Sequence, residues 1–182
     1  MIYGNFAPVA TVAGDGYDRG IIKESIAMAI DWICKHHTDL GKEQLYALLK
    51  LRVEVFVVEQ KCPYLETDGQ DLDGDTCHLM AWRDSALVAY LRLLDPESQG
   101  GDVVIGRVVI APSARGEGLG HTLLVQGLEQ AEKQWPGVPV YLSAQAHLQD
   151  YYARHGFEVV GEPYLEDDIP HIGMRRHKGP QG

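Results

Sequence analysis

Arg115-Gly116-Glu117-Gly118-Leu119-Gly120 follows a β-branched run at residues 103–110 and opens a long amphipathic helical pattern. A strand that hands a glycine-rich turn to a helix leaves several backbone N–H groups unpaired at the positive end of the helix dipole, which makes an anion site, most often for phosphate. Arg115 adds a guanidinium at its entrance, and the glycines remove Cβ atoms that would hold a pyrophosphate away. Three phosphate loops compete for the stretch. A Walker A loop needs G-x-x-x-x-G-K-[ST], which does not occur, and a dinucleotide fingerprint needs glycine where His121 stands. The pattern Q/R-x-x-G-x-G/A remains, met by Arg115, Gly118 and Gly120.

Outward from the turn, the pattern predicts an α/β (α+β) domain. Downstream, Leu119, Leu123, Leu124, Leu128, Ala131 and Trp135 lie on one helical face that stops before Pro136-Gly137. A strand is expected at 138–144, a short helix at 148–155 stopped by Gly156, and strands at 157–160 and 171–175, with Pro163 and Pro170 bounding an acidic loop. Upstream, Gly106 marks a bulge or a close backbone approach in the strand 103–110. Runs 77–83 and 86–94 form a tight hairpin through Asp84-Ser85. A helix over 42–58 carries Leu45, Leu48, Leu49, Val53 and Phe56, and a first strand is expected at 30–34.

Arg52 lies beside that helical stripe, and a carboxylate-paired or snorkelling side chain is the favoured reading over an acceptor-site residue. Residues 59–75 are turn-like and acidic, either a solvated loop or one that overhangs a cleft and attracts an ammonium substrate. Asp71, Asp73 and Asp75 have the spacing of a calcium loop, yet Thr76 stands where glycine is required and Trp82 where the bidentate glutamate belongs. No metal is expected, and His36-His37 reads as solvated.

Two motifs in order carry a resemblance. The turn follows Val108, Val109 and Ile110, and some thirty residues on Tyr151-Tyr152-Ala153-Arg154-His155-Gly156-Phe157 takes the form F-Y-x-x-x-G-F with tyrosine at its first position. Together they resemble the acetyl-coenzyme A motifs of the GCN5-related N-acetyltransferase (GNAT) superfamily. Residues 45–60, 144–152 and 169–174 are similar to its ElaA-type branch. The resemblance implies a single GNAT-type domain over residues 28–177, with a mixed, mostly antiparallel six- or seven-stranded sheet. Its central parallel pair would be splayed apart and helices would cover both faces. Residues 1–27 would be an extension outside that fold, or a misassigned start, and 178–182 a tail.

The resemblance also implies transfer of an acetyl group from acetyl-CoA to an amine, directly in a ternary complex. Arg115, Gly116, Glu117, Gly118, Leu119 and Gly120 would hold the pyrophosphate. Val108, Val109 and Ile110 would bind the pantetheine arm as an added strand and supply an oxyanion donor. Tyr152 would be the general acid that protonates the thiolate, and Gln145, where asparagine is usual, a coenzyme contact; Leu148 stands where alanine is usual. No motif assigns the base. Glu59 or His78 is the expected one, with His147 and His171 as further candidates. A non-catalytic acyl-CoA sensor or interaction module on the same fold is the alternative.

The totals agree with an ordinary enzyme domain: 182 residues, 45% hydrophobic and 23% charged. The formal net charge of −10 argues against a nucleic-acid partner and mildly favours a cationic one. Small-molecule or peptide amines fit that balance, and a homodimer is allowed by it. Cys34, Cys62 and Cys77 make neither a disulfide framework nor a zinc pattern. Without an apolar run of about 20 residues or a signal-peptide pattern, a cytoplasmic protein with no membrane partner is expected.

Overall fold

Seven strands and three helices carry the chain in the computed structural model, which describes residues 29–166 and 168–177. The expected extension at 1–27 and tail at 178–182 lie outside the described residues. The elements in order are β1 (Asp31–His36), α1 (Lys42–Arg52), β2 (Cys77–Arg83), β3 (Ala86–Leu94), β4 (Val103–Ile110), α2 (Leu119–Gln134), β5 (Val140–Gln145), α3 (Gln149–Ala153), β6 (Glu158–Glu166) and β7 (Ile169–Arg176). The strands make one mixed sheet in the order β1-β2-β3-β4-β5-β7-β6.

Every neighbouring pair is antiparallel except β4 and β5. That parallel pair joins only at Val103↔Val140 and Val104↔Tyr141, so the two strands part beyond Val104. Helices cover both faces. On one, Leu48 and Leu51 of α1 and Val55 just beyond it pack against Met80, Tyr90 and Val109. On the other, Leu119, Leu123, Leu124 and Ala131 of α2 meet Leu79, Leu91, Ile105 and Leu142. Burial of these side chains is worth roughly 1.5–3 kcal/mol each before entropy is counted.

The tight hairpin is present: Asp84 and Ser85 both take positive φ, 48° and 66°, the backbone of a two-residue turn whose twist matches the strands. The bulge in β4 is also present. Tyr90 pairs with Val109 and Arg92 with Gly106, so Arg107 and Val108 oppose Leu91 alone, and Arg107 stands at φ 54°.

Several expectations need correction. The helix at 42–58 is α-helical only to Arg52; residues 53–59 are wound with i→i+5 bonds, among them Gln60 N–H to the Val55 carbonyl at 2.9 Å. The wider turn rotates the apolar face, so Leu51 and Val55 are buried while Val53 points outward. The acidic stretch between Pro163 and Pro170 is not a long loop, because β6 runs to Glu166 and β7 starts at Ile169. Pro163 is tolerated because β6 is an edge strand and its register breaks between Val160 and Tyr164.

The stretch at 59–75 is not simply solvated. Glu66 and Asp71 are buried, and with Asp68 they bind three arginines. Arg52, itself without exposed surface, donates Nε to Glu66 Oε1 at 2.5 Å and Nη1 to Asp71 Oδ1 at 2.6 Å. Arg92 donates to Asp71 and Asp68, both at 2.7 Å, and Arg107 to Glu66 at 2.9 Å and Asp68 at 3.1 Å. Burial opposes these charges, but the hydrogen bonds and charges of Arg92 and Arg52 outweigh it and hold the Asp68 and Asp71 carboxyls well below their usual range. The favoured reading of Arg52 as a carboxylate partner thus describes its place, and the acids are spent on fastening the loop to the sheet.

Candidate active site

The glycine-rich turn stands where its sequence predicts, between β4 and α2. Gly116 and Gly118 adopt φ of 81° and 76°, a conformation that L side chains rarely enter, and a Cβ built on either would meet no atom within 4 Å. The backbone is therefore bare toward solvent there. Gly118 is the residue before α2, so the amides of Leu119 and Gly120 belong to the first helical turn and lack an intrahelical carbonyl. These features fit a pyrophosphate cradle.

Two ion pairs fix that turn from either side. Arg115 grips both oxygens of Glu59 at 2.7 and 2.9 Å, tying the turn to the end of the π-wound segment. Glu117 pairs with Arg83 at the tip of the β2–β3 hairpin. The hydrogen bond from Arg115 lowers the Glu59 carboxyl pKa, making it a weaker base. Both pairs are at the surface, so their role here is positional rather than a large source of stability.

Where β4 and β5 part, a cleft of about 510 Å³ opens. Val108 of β4, Gln145 and Ser143 of β5, and Tyr152 of α3 share its wall. Beyond Val104 the β5-facing edge of β4 has no strand partner, and an extended ligand arm could lie along it. Val109 is buried on the α1 side, and Ile110 packs from the α2 side. The Tyr152 side chain is largely buried against Phe157, and burial, with the neighbouring Tyr151, pushes its hydroxyl up to about 12. It therefore keeps its proton through the physiological range, as a proton donor must.

The structure does not bring together all the residues singled out from sequence. Glu59 lies by the turn, outside the cleft lining, with its carboxylate on Arg115. His78 has no exposed surface. Its Nδ1 meets the Tyr90 hydroxyl at 2.8 Å and its Nε2 the Asp71 carbonyl at 2.9 Å, so neither nitrogen reaches the cleft. His147 is also outside the lining, whereas His171 is part of it.

The sequence reading missed a charged part of the lining, formed by Tyr64, Asp68, Arg92 and Arg107. A signal for it existed: Arg92 and Arg107 are lone charges inside apolar strand runs, and such a charge needs a buried partner. Among the described residues, no cluster of histidine, cysteine or acid is placed to hold a metal ion.

Residues 38–178 match the family model described as an acetyltransferase (GNAT) domain. The chain belongs to the GNAT acetyltransferase family. Among its GNAT relatives, ElaA of Escherichia coli K12 is 52% identical over 147 residues, covering 81% of this chain and 96% of that protein. The protein Rv2851c of Mycobacterium tuberculosis is 45% identical over 141 residues, 76% of this chain and 87% of its own length. A crystal structure of an acyl-CoA N-acyltransferase from Pseudomonas aeruginosa superposes with a TM-score of 0.80 at 68% identity, covering 81% of this chain and 99% of that one. The crystal structure of E. coli ElaA gives 0.78 at 50% identity, with 82% and 100% covered. The GNAT fold expected from the two motifs, with its seven-stranded mixed sheet and parallel β4–β5 pair, is the fold observed. Membership supports acyl transfer in general terms. Among the described residues, no helix is long and apolar enough to cross a membrane.

Proposed function

We propose that this protein transfers an acetyl group from acetyl-CoA to the amine of a small-molecule or peptide acceptor, directly, in a ternary complex. The observation that carries the reading is the opening of β4 from β5 beyond Val104, with Tyr152 on the facing helix and the bare turn 115–120 at the head of α2. Coenzyme A supplies the activated thioester. The amides of residues 116–120 would hold its pyrophosphate, and Arg115 would do so only by sharing the guanidinium that Glu59 now occupies. The backbone of Val108, Val109 and Ile110 would pair with the pantetheine arm and donate an N–H toward the thioester oxygen. Gln145, on the cleft wall, would contact the same arm. Tyr152 would give its proton to the departing sulfur.

Titration of acetyl-CoA by calorimetry tests the donor. Gly118→Asp puts a carboxylate and a strained backbone at the turn, and weakening by ~10-fold or more, about 1.4 kcal/mol, is expected. Unchanged affinity would overturn the assignment of the turn. Tyr152→Phe should bind acetyl-CoA normally yet lower turnover by ~100-fold or more. If the wild-type protein bound the coenzyme but released no thiol with polyamines, amino acids, aminoglycosides or peptides, a non-catalytic acyl-CoA sensor would replace the enzyme reading.

A further inference from the structure

Among the described residues lining the cleft, His171 carries the sole imidazole. Its position is set by backbone pairing: β7 aligns it with Gln145 at the end of β5 and with Tyr164 of β6. Its Nδ1 is 2.8 Å from the Ile169 carbonyl oxygen. A carbonyl only accepts, so Nδ1 bears the hydrogen and Nε2 of the neutral ring keeps its lone pair. Nothing among the described residues occupies that nitrogen. The Tyr164 ring stacks beside it at 6.2 Å between centroids, and the Tyr164 hydroxyl is tied to Ser143 Oγ at 2.5 Å, which itself donates to Glu166 at 3.3 Å. The imidazole is thus held in one tautomer and braced on one face.

Tyr164 faces the ring from β6, and the other charged or titratable groups of the cleft lining are Glu166, Tyr141, Tyr152, Cys62, Tyr64, Asp68, Arg92 and Arg107. Arg107 and Asp68 of that lining are paired with each other. The carboxylate of Glu166 favours an ammonium in this part of the cleft, since Asp68, the other acid of the described lining, already holds Arg92 and Arg107.

We propose that His171 is the general base of the transfer. The proposal rests on the acyltransfer reading above. Nε2 takes one proton from the acceptor ammonium and later releases it to solvent. The freed amine lone pair forms the C–N bond to the thioester carbon. As the C–S bond breaks, the sulfur takes the proton of Tyr152, and the tyrosinate recovers one through water from the nitrogen that has just been acylated. The products are an amide, a free thiol and one proton in solution, which balances an ammonium and a thioester.

The test is the pH dependence of kcat/KM, followed by thiol release with whichever amine of the panel above is turned over. The wild-type profile should carry an acidic limb, because a protonated imidazole cannot take the ammonium's proton. His171→Asn keeps an N–H to donate to the Ile169 carbonyl but offers no basic nitrogen. It should bind acetyl-CoA as wild type does, lose ~100-fold in kcat at pH 7, and recover as pH rises toward the pKa of the amine. Added imidazole should partly restore His171→Ala. A wild-type profile without the acidic limb would overturn the base, whether or not either variant folds. So would His171→Asn with wild-type turnover, or with a lower rate and an unaltered profile. Absence of thiol release by the wild-type protein would remove the acyltransfer reading and this one together, whereas turnover that survives His171→Asn removes the base alone.

Discussion

Replacing Arg52 with methionine removes the guanidinium from the centre of the buried ion network and leaves a stem of comparable length. Arg52 has no exposed side-chain surface, and three of its hydrogen bonds end on Glu66 Oε1, the Glu66 carbonyl and Asp71 Oδ1, at 2.5, 2.8 and 2.6 Å. Removing one partner of a buried pair costs about 3–5 kcal/mol, because the other charge remains buried. Here Glu66 keeps Arg107 at 2.9 Å and Asp71 keeps Arg92 at 2.7 Å, which points to the lower end, about 3 kcal/mol. With a urea slope of about 2 kcal/mol/M, the unfolding midpoint should drop by about 1.5 M. Adding Asp71→Asn to Arg52→Met should recover part of the loss, since Arg92 and Arg107 would then face Asp68 and Glu66 with no carboxylate in excess. A midpoint shift under about 0.5 M for Arg52→Met, within what surface pairs give, would refute the argument.

Two further perturbations follow from the same core. Burial holds the His78 imidazole down at about 4 against an ordinary 6.5, so the folded protein keeps it neutral while the unfolded chain protonates. Its contribution is complete above pH ~6.5 and is lost as pH falls toward ~4, at about 1.4 kcal/mol per unit, or about 3 kcal/mol in all. Urea unfolding at pH 7, 5.5 and 4 should show that slope in wild type and a flatter one in His78→Gln; equal slopes would contradict it. Asp68 and Asp71, with depressed pKa values, add their loss only below about pH 4. At Gly173 an added Cβ would sit 2.7 Å from the Tyr141 hydroxyl and 2.9 Å from the Val160 carbonyl. Gly173→Ala should therefore destabilise by about 1–3 kcal/mol, read as a lower melting temperature, and an unchanged one would mean that β6 yields freely.

The fold was legible where local rules decide it. The β2–β3 hairpin and the β4 bulge could be read because turn chemistry and strand patterns are written in consecutive residues. The winding change at Val53 and the extension of β6 through Pro163 could not, since no residue pattern marks the first and the second depends on β6 being an edge. The turn and Tyr152 were visible as motifs. His78 could not be separated from His171 by sequence: each is a lone histidine in an apolar strand, and only tertiary packing buries one and sets the other on a cleft wall. The Glu59–Arg115 pair was unreadable for a similar reason, because the two residues lie far apart along the chain.

The short β4–β5 junction also divides the sheet mechanically. β1 to β4 form a meander of consecutive antiparallel strands, and β5 to β7 form a second antiparallel block. Two residue pairs, the Asp102–Arg175 ion pair beside them and the side chains beneath α2 join these blocks. Amide exchange should accordingly be fastest along this line of weakness, with each block opening as its own cooperative unit. A molecule that hydrogen-bonds to both edges would act as a staple, slowing exchange in strands it never touches.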